Sequence, residues 1–201
     1  SNNLFAQDYC YEKSEGEYWP FHNDTLSYSG PKNSFSYTYS RDSIKIKGLY
    51  YITRTKIYKN GKTNEAYLRK ENNKIYYYNE DTKSPSLLLP DELIKGESWK
   101  STCGTYKYKI KSLDASMSSP MCDFNNLLEV EITNLKTRTK YQFFYKKGIG
   151  LIGNYIDERP FSFINPDGAI KNKNFIAYGC EDLPNPSVQK QCTNNKIIKH
   201  L

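Results

Sequence analysis

Nucleophilic catalysis by a serine or cysteine needs a histidine base beside the nucleophile. The chain contains only two histidines. His22 follows Pro20-Phe21 in the opening segment, and His200 is the penultimate residue, where chain ends usually fray. No serine near His22 lies in a nucleophile-elbow motif. The sequence therefore predicts no catalytic triad.

Paired carboxylates are the second kind of candidate catalytic group, because glycoside hydrolysis uses two of them about 5–10 Å apart. Each adjacent acidic pair lies in a segment predicted as a turn, where such residues are commonly solvated. Glu129 and Glu131 alternate with apolar residues, so we expect them on one solvated strand face beside lysines of the neighbouring strand. A carboxylate-dependent hydrolase is therefore the least favoured of our hypotheses. The adjacent pairs are Glu80-Asp81, Asp91-Glu92, Asp157-Glu158 and Glu181-Asp182.

Three glycines, Gly148, Gly150 and Gly153, have the spacing of the dinucleotide-binding fingerprint. That fingerprint needs a helix opening at its third glycine. Here Pro160 follows within one short segment, so we predict a hairpin between two strands. The sequence indicates no cofactor. It also indicates no metal site, because zinc-finger spacing cannot be built without a Cys-x-x-Cys pair and with so few histidines.

The five cysteines are Cys10, Cys103, Cys122, Cys180 and Cys192. Proximity in sequence favours the disulfides Cys103–Cys122 and Cys180–Cys192, while the role of Cys10 stays open. The alternative is a set of buried thiols in a cytosolic protein. Residues 4–7 resemble the end of a bacterial secretory signal, although residues 1–7 could also be native or a tag. Disulfides form in oxidising compartments, so we expect export to the periplasm or beyond the cell.

The formal net charge is +7, from 29 lysines and arginines against 22 acidic residues. Basic proteins often bind nucleic acid. Here, however, 24 of the 29 cations are lysines, whereas arginine provides bidentate contacts to bases and phosphates. The lysines are scattered and form no run of five. We therefore predict no nucleic-acid partner.

Aromatic residues make up 15% of the chain, with 19 tyrosines, which offsets a mean hydropathy of −0.80. No apolar run approaches the ~18 residues of a membrane span. Alternating apolar and polar residues recur at about ten-residue spacing, which is typical of an all-β domain. We predict a strongly curved antiparallel sheet or open barrel of about ten strands. Asn60-Gly61 is its strongest hairpin signal.

The predicted domain covers residues 18–164, after an N-terminal segment, 1–17. A loop-rich, disulfide-stapled extension, 165–201, packs on it, with a last strand at 174–178 and a short helix from Asn185. Two inner segments are predicted as loops. The first, residues 81–96, contains Pro85 and Pro90, and we expect it to cover the end of the sheet, with one helical turn near 91–93. The second, residues 112–125, is rich in Ser, Asp, Pro and Asn. We place Trp99 against Leu87, Leu88 and Leu89.

The chain has more tyrosines than one hydrophobic core can bury, because adjacent residues on a strand point to opposite faces. Some rings must therefore line an outer or concave face, where tyrosine gives rigid contact area for a protein or carbohydrate. A surface tyrosine content set by composition alone is the alternative. The candidate binding residues are Tyr50, Tyr76, Tyr78, Tyr106 and Tyr108.

Three segments carry a resemblance to a known group of proteins. Residues 18–21 with 26–28 resemble its aromatic-proline opening, 93–99 its Leu…Gly-x-x-Trp motif, and 144–152 its late Gly-x-Gly hairpin. Over residues 18–156 the chain is similar to secreted, lipoprotein-like bacterial proteins of unknown function with an antiparallel β half-barrel. The resemblance implies that fold and an envelope location, but no reaction.

These observations favour an exported, non-catalytic bacterial envelope or binding protein, present as a monomer. Its partner would be an unidentified protein, glycan or lipid. The alternative is a periplasmic immunity protein that neutralises a toxin from a competing bacterium. Such a protein would use its +7 surface against an acidic or cleft-bearing toxin face.

Overall fold

The computed structural model describes residues 15–20, 25–30, 34–119 and 123–165. Within these residues the chain forms twelve strands and no helix. The strands are β1 (Leu26–Ser29), β2 (Phe35–Ile46), β3 (Leu49–Tyr58), β4 (Thr63–Glu71), β5 (Lys74–Asn79), β6 (Ser84–Leu89), β7 (Ser98–Lys100), β8 (Tyr106–Ser118), β9 (Asp123–Asn134), β10 (Lys140–Lys146), β11 (Gly150–Ile156) and β12 (Arg159–Ile164). The all-β prediction is confirmed.

All twelve strands belong to one antiparallel sheet, ordered β6-β5-β4-β3-β2-β1-β12-β11-β10-β9-β8-β7. Each half is a six-stranded meander of sequential neighbours. The halves join where β1 pairs with β12, with Tyr28 opposite Ile164. The two edges are β6 and β7, and no backbone ladder joins them, so the sheet does not close into a barrel.

Two predicted loops are strands in the structure. Residues 84–89 form β6. Pro85 has no backbone N–H to donate, and an edge strand tolerates this because only one of its sides is paired with another strand. Residues 112–118 continue β8, and β9 begins at Asp123, opposite Ser118. Register shifts along the β8–β9 pair mark bulges. Because each bulge interrupts the alternation of apolar and polar residues, the sequence pattern did not predict the second half of β8.

Apolar side chains form two clusters on the sheet. One contains Tyr28, Phe35, Met117 and Ile152, and the other contains Trp19, Leu68, Tyr108 and Val130. Further buried members of the first are Leu26, Phe124, Leu127, Phe144, Ile149 and Ile164.

Gly153 lies beneath Met117, where the end of the β8–β9 hairpin packs on β11. A Cβ atom at this position would overlap the Met117 methyl group and lie 2.5 Å from the Ser162 carbonyl oxygen. Only glycine therefore allows this close approach.

The expected Cys103–Cys122 disulfide is wrong for this structure, in which Cys103 is a free thiol. Cys103 precedes β8, near the pair Tyr106–Asn134. The neighbour of Cys122 in sequence, Asp123, lies at the other end of the same hairpin. About twelve residues of strand separate these ends, roughly 30–40 Å, whereas bonded cysteines have Cα atoms within about 7 Å.

Several expectations lie outside the described residues. They are Cys10, the Cys180–Cys192 disulfide, the strand at 174–178, the helix at Asn185, both histidines and nearly all of the extension 165–201. Among the residues that are described, no helix has the length and apolar character needed to cross a membrane.

Candidate functional site

The five predicted binding tyrosines do not form one surface. Tyr50 is 60% exposed at the β2–β3 hairpin, and Tyr76 and Tyr106 are half-buried. Tyr78 is buried edge-on against Tyr51, with ring centroids 5.8 Å apart, and Tyr108 is buried against Trp99. Tyr78 and Tyr108 therefore belong to the core. The sequence did not distinguish them from Tyr50, because alternation alone does not tell which face of a strand another segment covers.

Trp99 lies close to its predicted position. Its indole stacks on Tyr108, with centroids 5.4 Å apart and planes 6° from parallel. Its Nε1–H donates to the Leu87 carbonyl oxygen at 3.1 Å. Nearby, the Thr102 backbone N–H donates to the Ser86 hydroxyl at 3.0 Å, and the Thr102 hydroxyl donates to the Pro85 carbonyl at 2.9 Å. These contacts form a side-chain seam between the edge β6 and residues 99–102.

A short segment, residues 15–20, crosses from the β10–β11 turn to β4. The Gly148 N–H donates to the Glu17 carbonyl at 2.8 Å, and the Glu17 carboxylate pairs with Lys70. These contacts hold Trp19 inside the sheet, where it is 7% exposed and its ring centroid lies 5.1 Å from that of Tyr145.

Trp19 forms one wall of a cleft with a volume of about 290 Å³. This volume is near the lower limit of small-molecule sites. The apolar lining comes from the 15–20 segment, β5, β6 and the loop after β6, and consists of Tyr18, Trp19, Ile75, Leu89, Pro90 and Leu93. The polar lining consists of Glu17, Lys70, Asn73, Asp91 and Lys147. We call this site the Trp19 cleft.

Arg54 lies behind Trp19, enclosed by aromatic rings. Its guanidinium carbon is 4.5 Å from the Tyr37 ring centroid and 5.9 Å from that of Trp19. Burial opposes the charge, yet the surrounding tyrosine oxygens, those of Tyr37 and Tyr39 foremost, hold the pKa of Arg54 above its ordinary value. Burial raises the pKa of Tyr39 and Tyr145, so both phenols stay neutral. The wall of the cleft is therefore backed by a positive charge.

The lysines of the cleft differ in their partners. Lys70 is neutralised by Glu17, whereas the Lys147 ammonium lies 5.5 Å from the Tyr18 ring centroid. The four ion pairs found among the described residues include neither Lys147 nor Arg54. Lys147 at the cleft and Arg54 behind its wall thus have no described carboxylate partner.

The two alternating glutamates of β9 have different partners. Glu131 has the predicted lysine partner, with the Lys111 ammonium of the neighbouring strand 3.8 Å away, whereas Glu129 accepts a hydrogen bond from the Gln142 amide at 3.0 Å instead of pairing with a lysine. Asp157, in the β11–β12 turn, accepts from the Lys140 N–H at 2.9 Å. No group of three metal-ligating side chains occurs in the parts of the chain that are described. The glycine fingerprint is the predicted hairpin, β10–β11.

Cys103 is a polarised thiol in the β7–β8 turn. Hydrogen bonds from the Ser101 and Thr105 side chains lower the pKa of Cys103 to about 7, with the Ser101 hydroxyl 3.2 Å from the sulfur. This property was not predicted, because two cysteines close in sequence suggested a disulfide.

No protein-family model, curated protein or solved structure significantly matches the chain. The resemblance to lipoprotein-like half-barrels therefore remains an expectation. The Trp19 cleft was not predicted from the sequence. The available signal was Tyr18-Trp19-Pro20, adjacent aromatic residues followed by a proline in a segment without strand alternation.

Proposed function

We propose that this chain is a non-catalytic binding protein whose ligand occupies the Trp19 cleft. The observation that carries the proposal is the composition of the cleft: an aromatic and aliphatic wall and a polar rim that includes Lys147, a cation without a described carboxylate partner. Ligand sites commonly combine an apolar lining with a few polar groups that fix the orientation.

The same features define the class of ligand. An apolar or planar body would contact Trp19, Ile75 and Leu89, where burial of apolar surface favours association. An anionic group on that body would pair with Lys147 at the rim. Arg54, 5.9 Å from the Trp19 ring centroid, adds electrostatic attraction from behind the wall.

We further propose that this binding protein is exported and acts in the bacterial envelope. Residues 4–7 and the resemblance described above support that location. The immunity-protein alternative involves a different occupant, the surface of a toxin protein. It would be favoured by capture of a protein partner that leaves the Trp19 cleft accessible to a small probe.

Fluorescence can test the cleft directly, because the chain contains only two tryptophans. In Trp99→Phe, Trp19 becomes the sole reporter. The test compares 8-anilinonaphthalene-1-sulfonate, which has a planar body and an acidic group, with N-phenyl-1-naphthylamine, which has the same rings without the sulfonate. We expect energy transfer from Trp19 to both probes and tighter binding of the sulfonate.

Lys147→Gln should weaken sulfonate binding about two- to fivefold, as expected for a partly exposed ion pair, and leave the neutral probe unchanged. Lys136→Gln, an exposed lysine in the β9–β10 turn, is the matched control. The proposal fails if neither probe accepts energy from Trp19, or if Lys147→Gln and Lys136→Gln have equal effects.

A further inference from the structure

A two-stranded arm extends from the sheet where β2 turns into β3. We define the hairpin arm as residues 41–50. Its strands pair with each other, with Lys45 opposite Tyr50 and Ile46 opposite Leu49. In the described residues, the β1–β2 pairing ends at Tyr37 and the β3–β4 pairing at Ile52, so neither neighbouring strand reaches the arm.

The two faces of the arm have different chemistry. Strand alternation places Ile44, Ile46 and Leu49 on one face and Lys45 with Tyr50 on the other. The Lys45 ammonium lies 5.6 Å from the Tyr50 ring centroid. One face is therefore aliphatic, and the other is cationic and aromatic.

The apolar residues of the arm are unusually exposed. Among the described residues, five large hydrophobic side chains are exposed, and three belong to the arm: Ile44 at 38%, Leu49 at 38% and Tyr50 at 60%. Clustered exposure of this kind marks an interaction surface. The arm also has a net charge of +2, from Arg41, Lys45 and Lys47 against Asp42.

We propose that the hairpin arm docks on the surface of an anionic lipid bilayer. The aliphatic face enters the boundary between headgroups and acyl chains, while the lysines contact anionic headgroups. Tyr50, on the cationic face, suits the headgroup level above this boundary, because a tyrosine ring is apolar and its hydroxyl stays hydrated. This occupant is favoured because an interface with one apolar and one anionic layer matches both faces of the arm, and the chain as a whole carries +7.

Contacts at the base and at the tip hold the arm in place, so docking orders little additional chain. At the base, Tyr51 is buried against Tyr78, and at the tip the Lys47 ammonium donates to the Lys83 carbonyl oxygen at 2.8 Å. At the bulge before the arm, the Thr53 N–H donates to the Ser40 hydroxyl at 3.0 Å. Such preorganisation lowers the entropic cost of binding.

Vesicle flotation of the full chain tests the proposal. We expect at least about tenfold stronger partitioning onto phosphatidylcholine vesicles with about a third phosphatidylserine than onto phosphatidylcholine alone. Ile44→Ser with Leu49→Ser should reduce partitioning about tenfold, because both side chains lose their contact with the acyl boundary. Arg41→Gln with Lys45→Gln, which removes two exposed cations and leaves the Lys47–Lys83 contact intact, should cause a similar loss on the anionic vesicles only.

Two control pairs match these variants in exposure and charge. Ile94→Ser with Leu113→Ser removes the other large aliphatic side chains that are exposed in the described part of the chain, and Lys62→Gln with Lys136→Gln removes two exposed lysines in turns outside the arm. Both controls should float like the parent. Circular dichroism and urea midpoints confirm folding, which exposed substitutions should preserve.

Three results would overturn the proposal. They are equal partitioning of the parent onto both vesicle types, arm variants that float like the parent, and control pairs that lose as much binding as the arm pairs. A concentration-dependent dimer in sedimentation velocity, abolished by Ile44→Ser with Leu49→Ser in the absence of lipid, would instead assign the arm to contact with a second copy.

Discussion

Trp99 joins the two edges of the sheet, and replacing it should reveal what that seam contributes to stability. The side chain makes two separable contacts, ring stacking on Tyr108 and a hydrogen bond from Nε1 to the Leu87 carbonyl. Trp99→Phe keeps a stacked ring and removes the hydrogen bond. Trp99→Ala removes both contacts.

The structure sets the size of each loss. A net hydrogen bond contributes about 1 kcal/mol, and the Leu87 carbonyl lies on an edge strand, where water can replace the lost donor. Trp99→Phe should therefore lower the free energy of unfolding by about 1 kcal/mol. Truncation of a fully buried Trp costs about 3–5 kcal/mol, but Trp99 is only half-buried. Trp99→Ala should thus cost about 3 kcal/mol, including an aromatic pair of about 1 kcal/mol.

Urea unfolding followed by far-ultraviolet circular dichroism measures both values without relying on tryptophan emission. Thr102→Val provides a matched control within the seam, because it removes only the hydroxyl bond to the Pro85 carbonyl. A Trp99→Ala variant as stable as the parent would show that the edges do not depend on this contact. Equal losses in Trp99→Phe and Trp99→Ala would refute the division into stacking and hydrogen bonding.

Further outcomes follow from single positions. Gly153→Ala should cost more than about 2 kcal/mol in urea unfolding, because its methyl group meets backbone that cannot move aside; a neutral variant would contradict the close approach. Peptide-resolved alkylation of Cys103 should reach its half-maximal rate near pH 7. Ser101→Ala should move that midpoint to a higher pH, because the thiolate loses a hydrogen-bond donor. An unchanged midpoint would exclude the Ser101 hydroxyl as the cause. Tyr78→Ala should destabilise the fold by about 3 kcal/mol and Tyr50→Ala by less than about 0.5 kcal/mol; equal thermal shifts would refute the assignment of one ring to the core and the other to the surface.

Local sequence determined the class of the fold and several of its turns. Alternating residues in β2, β3 and β8 predict strands because side chains on a strand point to opposite faces at every second position. Asn60-Gly61 predicts the β3–β4 hairpin, and Gly61 has the positive φ, 79°, that such a turn requires. Gly148 and Gly150 do the same for the β10–β11 turn, with φ values of 74° and 99°. These features depend on residues only a few positions apart, so the sequence displays them directly.

The tertiary structure decided which faces are covered and which distant residues meet. Tyr50, Tyr78 and Tyr108 all lie in alternating strands, yet only Tyr50 is exposed. Their difference depends on what packs over each strand, which period-2 spacing does not encode. The cysteine prediction failed for a related reason: Cys103 and Cys122 are near in sequence, but Cys103 precedes the long strand β8, which runs the length of the hairpin before the turn to Asp123.

The Trp19 cleft shows this limit most clearly. It brings together residues 16–19, 70–75, 89–93 and Lys147, which no local pattern connects. Their meeting requires the β1–β12 pairing, which joins the two meanders, and the curvature that brings the edges β6 and β7 together at Trp99. The β1–β12 pairing depends on contacts between residues more than a hundred positions apart, such as Tyr28 and Ile164. The curvature depends on the summed twist of many strands. The sequence therefore determined the strands and their turns, while long-range packing determined the site.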